Sequence, residues 1–374
     1  MLVKISQHLK KLAASSKAVR RQFYRSKEES HFSERAFIDP LLEDKFSPVK
    51  GLCWKYSKRV LIELTMDCAS FCRFCTRRRK VSDIKKGMLK EKDISALASY
   101  IESKPEISEV IFSGGDPLLV PGLLILALKK ITSLTQVKII RIHTRVPVSD
   151  PKLLSKNVLR TLSRIKKIPV YLSIHFEHPD ELTPATIKAV RELRKTGAIL
   201  LSQSVFLKNI NDSYPVLEKL FTRLTELGIR PYYIYHCDLG RGIEHFIVPI
   251  EKEIRIMTKL RKNLSGISFP FHVIDSPNGS GKIPVPLNFW QFNKARFKDF
   301  NGKRIDAYGP PLKRFIKIPG FFPKDIATLP LPQKSWSPPS AEKQPSFARL
   351  RPRKPSETDL GNAPKVEKNN FLNA

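Results

Sequence analysis

"RVLIELTMDCASFCRFCTRRRKV" runs from Arg59 to Val81. Its first seven residues are mostly apolar and partly branched, which predicts a short buried strand over 59–65. Three of the chain's five cysteines follow, spaced Cys68-x3-Cys72-x2-Cys75, and a basic run from Arg77 to Lys80 comes after them. A strand that ends in a cysteine loop is the unit from which the rest of the chain is read. Structural zinc takes four closed ligands, commonly as two separated pairs. Here no second pair exists, because Cys53 and Cys237 each stand apart. Three thiolates on one loop suit three corners of an iron–sulfur cubane and leave one iron open to a small molecule. A zinc loop that borrows a distant fourth ligand is the competing reading.

Outward from this loop a regular alternation continues. "EVIFSGG" (109–115), "VKIIRIHT" (137–144), "PVYLSIHF" (169–176), "AILLSQSVFL" (198–207) and "RPYYIYHCDL" (230–239) read as strands, each followed by helical spacing. "PFHVIDSPNG" (270–279) adds a further strand. Six strand–helix units in series predict a parallel sheet with right-handed crossovers. Six are too few for an eight-fold barrel, so the expected fold is α/β, a partial (β/α)6 barrel. Chemistry in such folds sits where strands end. Cys68 to Cys75, Gly114 to Asp116, Arg145, His175, Asp238 and Asp275 all fall at or just past expected strand ends. Residues 1–50 read as an N-terminal helical extension and 51–290 as the core. Residues 291–374 read as a C-terminal extension, basic, Pro-rich and loosely packed or disordered from about 325.

The chain has 374 residues and a formal net charge of +32, from 67 Lys+Arg against 35 Asp+Glu. Such a field attracts polyanions and phosphorylated small molecules without choosing among them. The charge is spread over helices and tails, so a nucleic-acid partner is not required. No apolar run approaches the roughly 20 residues that cross a bilayer, which argues against a membrane protein. The N-terminal "MLVKISQHLKKLAASSKAVRRQF" lacks the apolar core of a secretory signal and reads as a basic surface helix, with an organelle transit peptide as the alternative. Clustered cysteines without a disulfide framework fit a reducing compartment, so a cytoplasmic protein is expected.

The spacing resembles the signature C-x3-C-x-aromatic-C of the radical S-adenosylmethionine (SAM) superfamily, with Phe74 at the aromatic position. "SGGDP" (113–117) matches that superfamily's glycine-rich motif. Gly114 and Gly115 let backbone approach a ligand closely, and Asp116 offers an anion to an ammonium. Longer strings resemble the lysine 2,3-aminomutase family: "YSKRVLIELTMDCASFCRFCTRRR", "FSGGDPLLV", "RIHTRVPV", "HFEHPDELT", "QSVFLKNIND", "RPYYIYHCDLGRGIEHF" and "IDSPNGSGKIPV".

The resemblance implies a [4Fe–4S] cluster on Cys68, Cys72 and Cys75, with SAM near Phe74, Gly114, Gly115, Asp116 and His175. It implies pyridoxal phosphate (PLP) anchored by Lys282, with Arg59 and Arg145 as cationic partners of the cofactor. Arg77 is implied for a substrate carboxylate, and Asp238 with Asp275 for the distal ammonium of lysine. Arg78, Arg79 and Lys80 read as basic surface. The implied activity is that of an isomerase interconverting L-lysine and β-lysine by 2,3-amino migration. It needs an electron donor for the cluster and allows a homo-oligomer. Alternatives are action on glutamate, a role in lysine modification of elongation factor P, or, on charge alone, an RNA-modifying radical SAM enzyme. The best-known free-lysine enzymes of the family carry C-terminal cysteines that bind zinc and help assemble subunits. This chain has no cysteine after Cys237.

Overall fold

In the computed structural model Arg59–Thr65 forms strand β2, and its alternation sets the architecture. Val60, Ile62 and Leu64 are almost fully buried on one face, while Arg59, Leu61 and Glu63 lie on the other. β2 pairs in parallel with β3 (Glu109–Gly114). The pattern continues through β4 (Ile139–Thr144), β5 (Val170–His175), β6 (Ile199–Val205), β7 (Arg230–Tyr235) and β8 (Phe271–Asp275). Helices Glu91–Glu102, Pro121–Thr132, Lys156–Arg164, Pro184–Lys195, Tyr214–Glu226 and Ile250–Asn263 are the crossovers. The expected strand–helix units are present in order, and β8 is the further strand. β7 stops four residues short of its expected end, where an irregular loop begins, and the expected end of β8 past Ser276 lies outside the described residues.

Two strands of the main sheet were not foreseen. β1 (Leu52–Tyr56) pairs antiparallel with β2 across a tight turn, and β9 (Lys282–Pro284) pairs antiparallel with β8. The nine strands follow chain order from β1 to β9. The sheet is open, a partial barrel with β1 and β9 at its edges. A small antiparallel sheet of Trp290–Gln291, Arg296–Lys298 and Arg304–Asp306 comes after it.

The structure describes residues 2–81, 87–276, 281–291, 296–298 and 304–306. The chain divides into two units, and all of these residues belong to the first, Met1–Pro338. The expected C-terminal extension lies almost wholly outside the described residues. Among the described residues no helix is long and apolar enough to cross a membrane.

The outer faces of the strands meet the crossover helices in one apolar core. Phe112, Ile142 and Leu172 of the sheet are buried with Leu124, Leu193 and Phe221 of the helices. Full burial of each such side chain contributes about 1.5–3 kcal/mol. That stabilisation lets the inner face carry charge.

The first fifty residues pack against the cysteine loop. Helices Gln7–Ser15 and Lys17–Phe23 start at Ser6 and Ser16, whose hydroxyls accept from Leu9 N and Val19 N. Phe71 N donates to Lys4 O at 2.9 Å, and Arg73 N donates to Gln22 O at 2.7 Å. Arg73 is fully buried, and its guanidinium is bonded to Glu29 and to Leu2 O.

Candidate active site

Strand register brings the loops together at one end of the sheet. Thr65 is level with Gly114, His175 with Gln203, Val205 with Tyr235, and Asp275 with Lys282. The loops that leave these positions enclose a cavity of 320 Å³. Every residue singled out from the sequence lines it: Cys68, Cys72, Phe74, Cys75, Arg59, Arg77, Gly114, Gly115, Asp116, Arg145, His175, Asp238, Asp275 and Lys282.

Local engagement differs from expectation at several of these residues. The two glycines are required by the protein's own backbone. Gly114 has φ +116°, and a Cβ there would lie 2.3 Å from Thr65 O. A Cβ on Gly115 would lie 2.1 Å from Asp67 O. Gly115 N donates to Thr65 O at 2.5 Å and Asp116 N to Asp67 O at 2.8 Å. The glycine turn therefore docks on the start of the cysteine loop. Asp116 is also committed to protein donors: Thr144 Oγ1 at 2.8 Å, Arg145 N at 2.7 Å, Val146 N at 3.0 Å and Leu118 N at 3.1 Å. Burial pushes its pKa up to about 6, and these donors pull against that rise. The carboxylate expected to face an ammonium is a bracket between the β3 and β4 loops.

Arg77 is paired as well. Its Nε and Nη2 donate to Glu43 at 2.9 and 2.6 Å, and its Nη1 donates to Ser113 Oγ and Gly114 O. Glu63 lies 3.3 Å from Nε. Burial opposes the charge, but Glu43 and Glu63 hold Arg77 above its usual range. The run behind it is not a solvated basic face. Arg78 meets Glu29 at 2.9 Å, Arg79 meets Asp39 at 2.6 Å, and Lys80 meets Glu63 at 2.9 Å. The reading as basic surface is thus corrected: acids from the N-terminal segment and β2 neutralise the run.

The opposite wall carries Lys282 and the two aspartates. Lys282 Nζ is 2.5 Å from Asp275 Oδ2, and Lys55 is 3.7 Å from Asp275 Oδ1. Burial, then the charge of Asp275, pushes Asp238 up to about 7. The Arg59 guanidinium stacks on Tyr56, 3.9 Å from the ring centroid. Between the walls, His175 Nε2 is 3.0 Å from Gln203 Oε1. His143 is deeply placed with Nε2 unpartnered. Burial and then Arg141 hold it well below its usual pKa, so it is a neutral imidazole.

The thiols are free of disulfides. Burial pushes Cys75 up to about 11 and raises Cys68 and Cys72 too. Three thiolates in so dry a place need strong cationic compensation, which an iron–sulfur core supplies. The donor set thus fits that group. Among the described residues no three His, Cys, Asp or Glu side chains close around a single metal ion. Cys53 also borders the cavity, but burial pushes its thiol up to about 12.

Sequence reasoning missed the supporting acids Glu29, Glu43, Glu63 and Glu181, and also a buried Glu253 behind the cavity. Glu253 accepts from His236 Nδ1 at 3.0 Å and His272 Nε2 at 2.9 Å. It ties His236, just past the end of β7 and two residues before Asp238, to His272 near the start of β8, the strand that ends at Asp275. Glu253→Ala would leave imidazole N–H groups without their acceptor, at a cost of about 1–3 kcal/mol. Thermal unfolding of the variant should show a lower Tm, and an unchanged Tm would remove this role.

A sequence model of the Radical SAM superfamily matches residues 62–233. The L-lysine 2,3-aminomutase of Fusobacterium nucleatum subsp. nucleatum is 40% identical over 268 residues, 71% of this chain and 62% of that protein. The L-lysine 2,3-aminomutase of Acetoanaerobium sticklandii is 40% identical over 277 residues, 73% of this chain and 66% of that protein. The chain thus spans slightly less than two thirds of the length of these two relatives. It spans 73% of the L-lysine 2,3-aminomutase of Buchnera aphidicola subsp. Baizongia pistaciae, with 32% identity over 251 residues. With the superfamily match across β2 to β7 and identity at this level over most of a relative's length, the chain belongs to the lysine 2,3-aminomutase family of the radical SAM superfamily.

Proposed function

We propose that the protein is an isomerase that interconverts L-lysine and β-lysine by moving the amino group between C2 and C3, with a [4Fe–4S] cluster, SAM and PLP as cofactors. The observation that carries this is the meeting, in one cavity, of the cysteine loop on one wall with Lys282, Asp238 and Asp275 on the other. The names of the relatives support the reaction, since fold alone would not. Residues 1–50 are assigned as a helical extension that holds the cysteine loop, and 51–290 as the core. The setting is a reducing cytoplasm with an external electron donor and a free amino acid as substrate.

Cys68, Cys72 and Cys75 would hold the cluster, with SAM beside it against Phe74, the Gly114–Gly115 turn and His175. Lys282 would anchor PLP, with Arg59 toward its phosphate. When bound, these groups supply a hydrogen-abstracting carbon radical and a π system across which nitrogen passes between neighbouring carbons. The chain's own residues bind and orient. Lys282 Nζ, resting on Asp275 Oδ2, marks where a substrate ammonium can be held. Once Lys282 turns to the cofactor, the two aspartates lose their nearest cation, and the distal ammonium of lysine replaces it. Asp275 Oδ2 is also placed to take a proton from Nζ. Glu43 lies in the fork of Arg77, so a substrate carboxylate exchanges against it there. Asp116 acts at one remove by fixing the β3 and β4 loops.

The test is an anaerobic assay of iron-reconstituted protein with SAM, PLP and a reductant. Lysine, glutamate and a lysine-modified elongation factor P are supplied separately. β-Lysine from lysine is expected. Turnover of glutamate alone would overturn the role of the paired aspartates.

A further inference from the structure

The Arg145 guanidinium reaches a sulfur of the cysteine loop. Its Nη1 is 2.7 Å from Cys72 Sγ. Its Nη2 donates to Gln22 Oε1 and, at 3.0 Å, to Glu181 Oε1. Gln22 Nε2 donates to that same glutamate oxygen at 2.7 Å. The rings of Phe23 and Phe74 flank the guanidinium, with centroids 4.8 and 5.3 Å away. The backbone N is held by Asp116 at 2.7 Å. Arg145 is thus a buried cation clamped by the N-terminal helix, the β5 loop and the cysteine loop. Turning from the sulfur would take from buried Glu181 the cation it pairs with at 3.0 Å.

We propose that Arg145 tunes the iron–sulfur cluster, its charge and its hydrogen bond to Cys72 Sγ favouring the one-electron reduced state. The proposal rests on the reading of Cys68, Cys72 and Cys75 as cluster ligands. Hydrogen bonds to cluster sulfurs and burial are established levers on reduction potential. A cation in a dry site also attracts the added electron with little screening by salt. The electron comes from the external reductant, and no bond to Arg145 forms or breaks. Glu181 offsets part of the cation's charge, so its neutralisation acts in the opposite sense. Cys72 is the favoured point of control, because its Sγ is the sulfur that the guanidinium meets, at 2.7 Å.

The experiment is a dye-mediated redox titration of the reconstituted full chain, without SAM or PLP, followed by electron paramagnetic resonance. Arg145→Gln should lower the reduced-to-oxidised ratio at fixed potential by about ten-fold or more, equivalent to about 59 mV for one electron. Arg145→Lys should fall between it and the parent, and Glu181→Gln should raise the ratio. If Arg145→Gln assembles no cluster, the lysine variant and Glu181→Gln decide by the same titration. Iron and sulfide analysis of the parent chain tests the ligand reading separately. A parent cluster whose potential is unmoved in the variants overturns the tuning role. So does an unmoved potential accompanied by weakened SAM binding, which would make Arg145 a SAM partner.

Discussion

Lys282→Arg is expected to fold and take up iron like the parent chain yet lose β-lysine formation by about 10³-fold, within the range set by loss of a positioned proton-transfer group. The guanidinium preserves a cation against Asp275, so the buried carboxylate keeps a partner. Arginine stays protonated at all working pH values and has no free amine to bind PLP covalently. Lys282→Ala is a poorer test. It strips Asp275 of its nearest cation and leaves, among the described residues, Lys55 at 3.7 Å to offset a charge in a dry site. In the parent, borohydride reduction followed by peptide mapping should fix PLP on Lys282. In Lys282→Arg the label should vanish with the activity. An arginine variant that still forms β-lysine at the parent rate would exclude Lys282 as the anchor.

The parallel strands were legible because each is a short, branched, apolar run with outward residues in one core. β2 begins and ends where the pattern put it, and β3 to β6 differ by a residue or two. The edge strands were not. β1 follows an irregular segment, and β9 hides in the glycine-rich "NGSGKIP", where three residues carry no period. The cavity was legible from a topological fact: in parallel sheets the loops after successive strands open on the same end. The partners within it were not. Arg73 lies 44 residues from Glu29, and Arg77 lies 34 residues from Glu43. Sequence spacing shows an excess of cations but not which acid each one meets. Hence the run from Arg78 to Lys80 read as surface, although N-terminal acids and Glu63 enclose it. The surroundings of Asp116 were hidden in the same way. Its residue type suggested a ligand for an ammonium, and only the fold shows four protein donors around it.

Asp238→Asn should change activity and stability in opposite directions. Breaking one half of a buried charge pair costs about 3–5 kcal/mol. The lysine kcat/KM is therefore expected to drop by about 10²-fold or more, at about 1.4 kcal/mol per factor of ten. A linear substrate analogue without the distal ammonium should be little affected. The parent should show a pH limb that the variant lacks. Burial and Asp275 raise Asp238 to about 7, so the carboxyl gains a proton as pH falls through that value and lysine capture weakens. A bound ammonium lowers that pKa, so the limb in kcat should lie at lower pH than the limb in kcat/KM. Stability follows the other sign. A carboxyl raised from 3.8 to about 7 on folding binds its proton more tightly in the folded chain. Its ionised form therefore opposes folding at pH 8, by up to about 4 kcal/mol. The asparagine variant removes that charge and should unfold at a higher temperature than the parent at pH 8, with the difference shrinking as pH falls below 7. A merely structural aspartate would lose stability and activity together. A more stable, less active, pH-insensitive variant would identify Asp238 as an acid kept at a cost to folding in order to hold a cation.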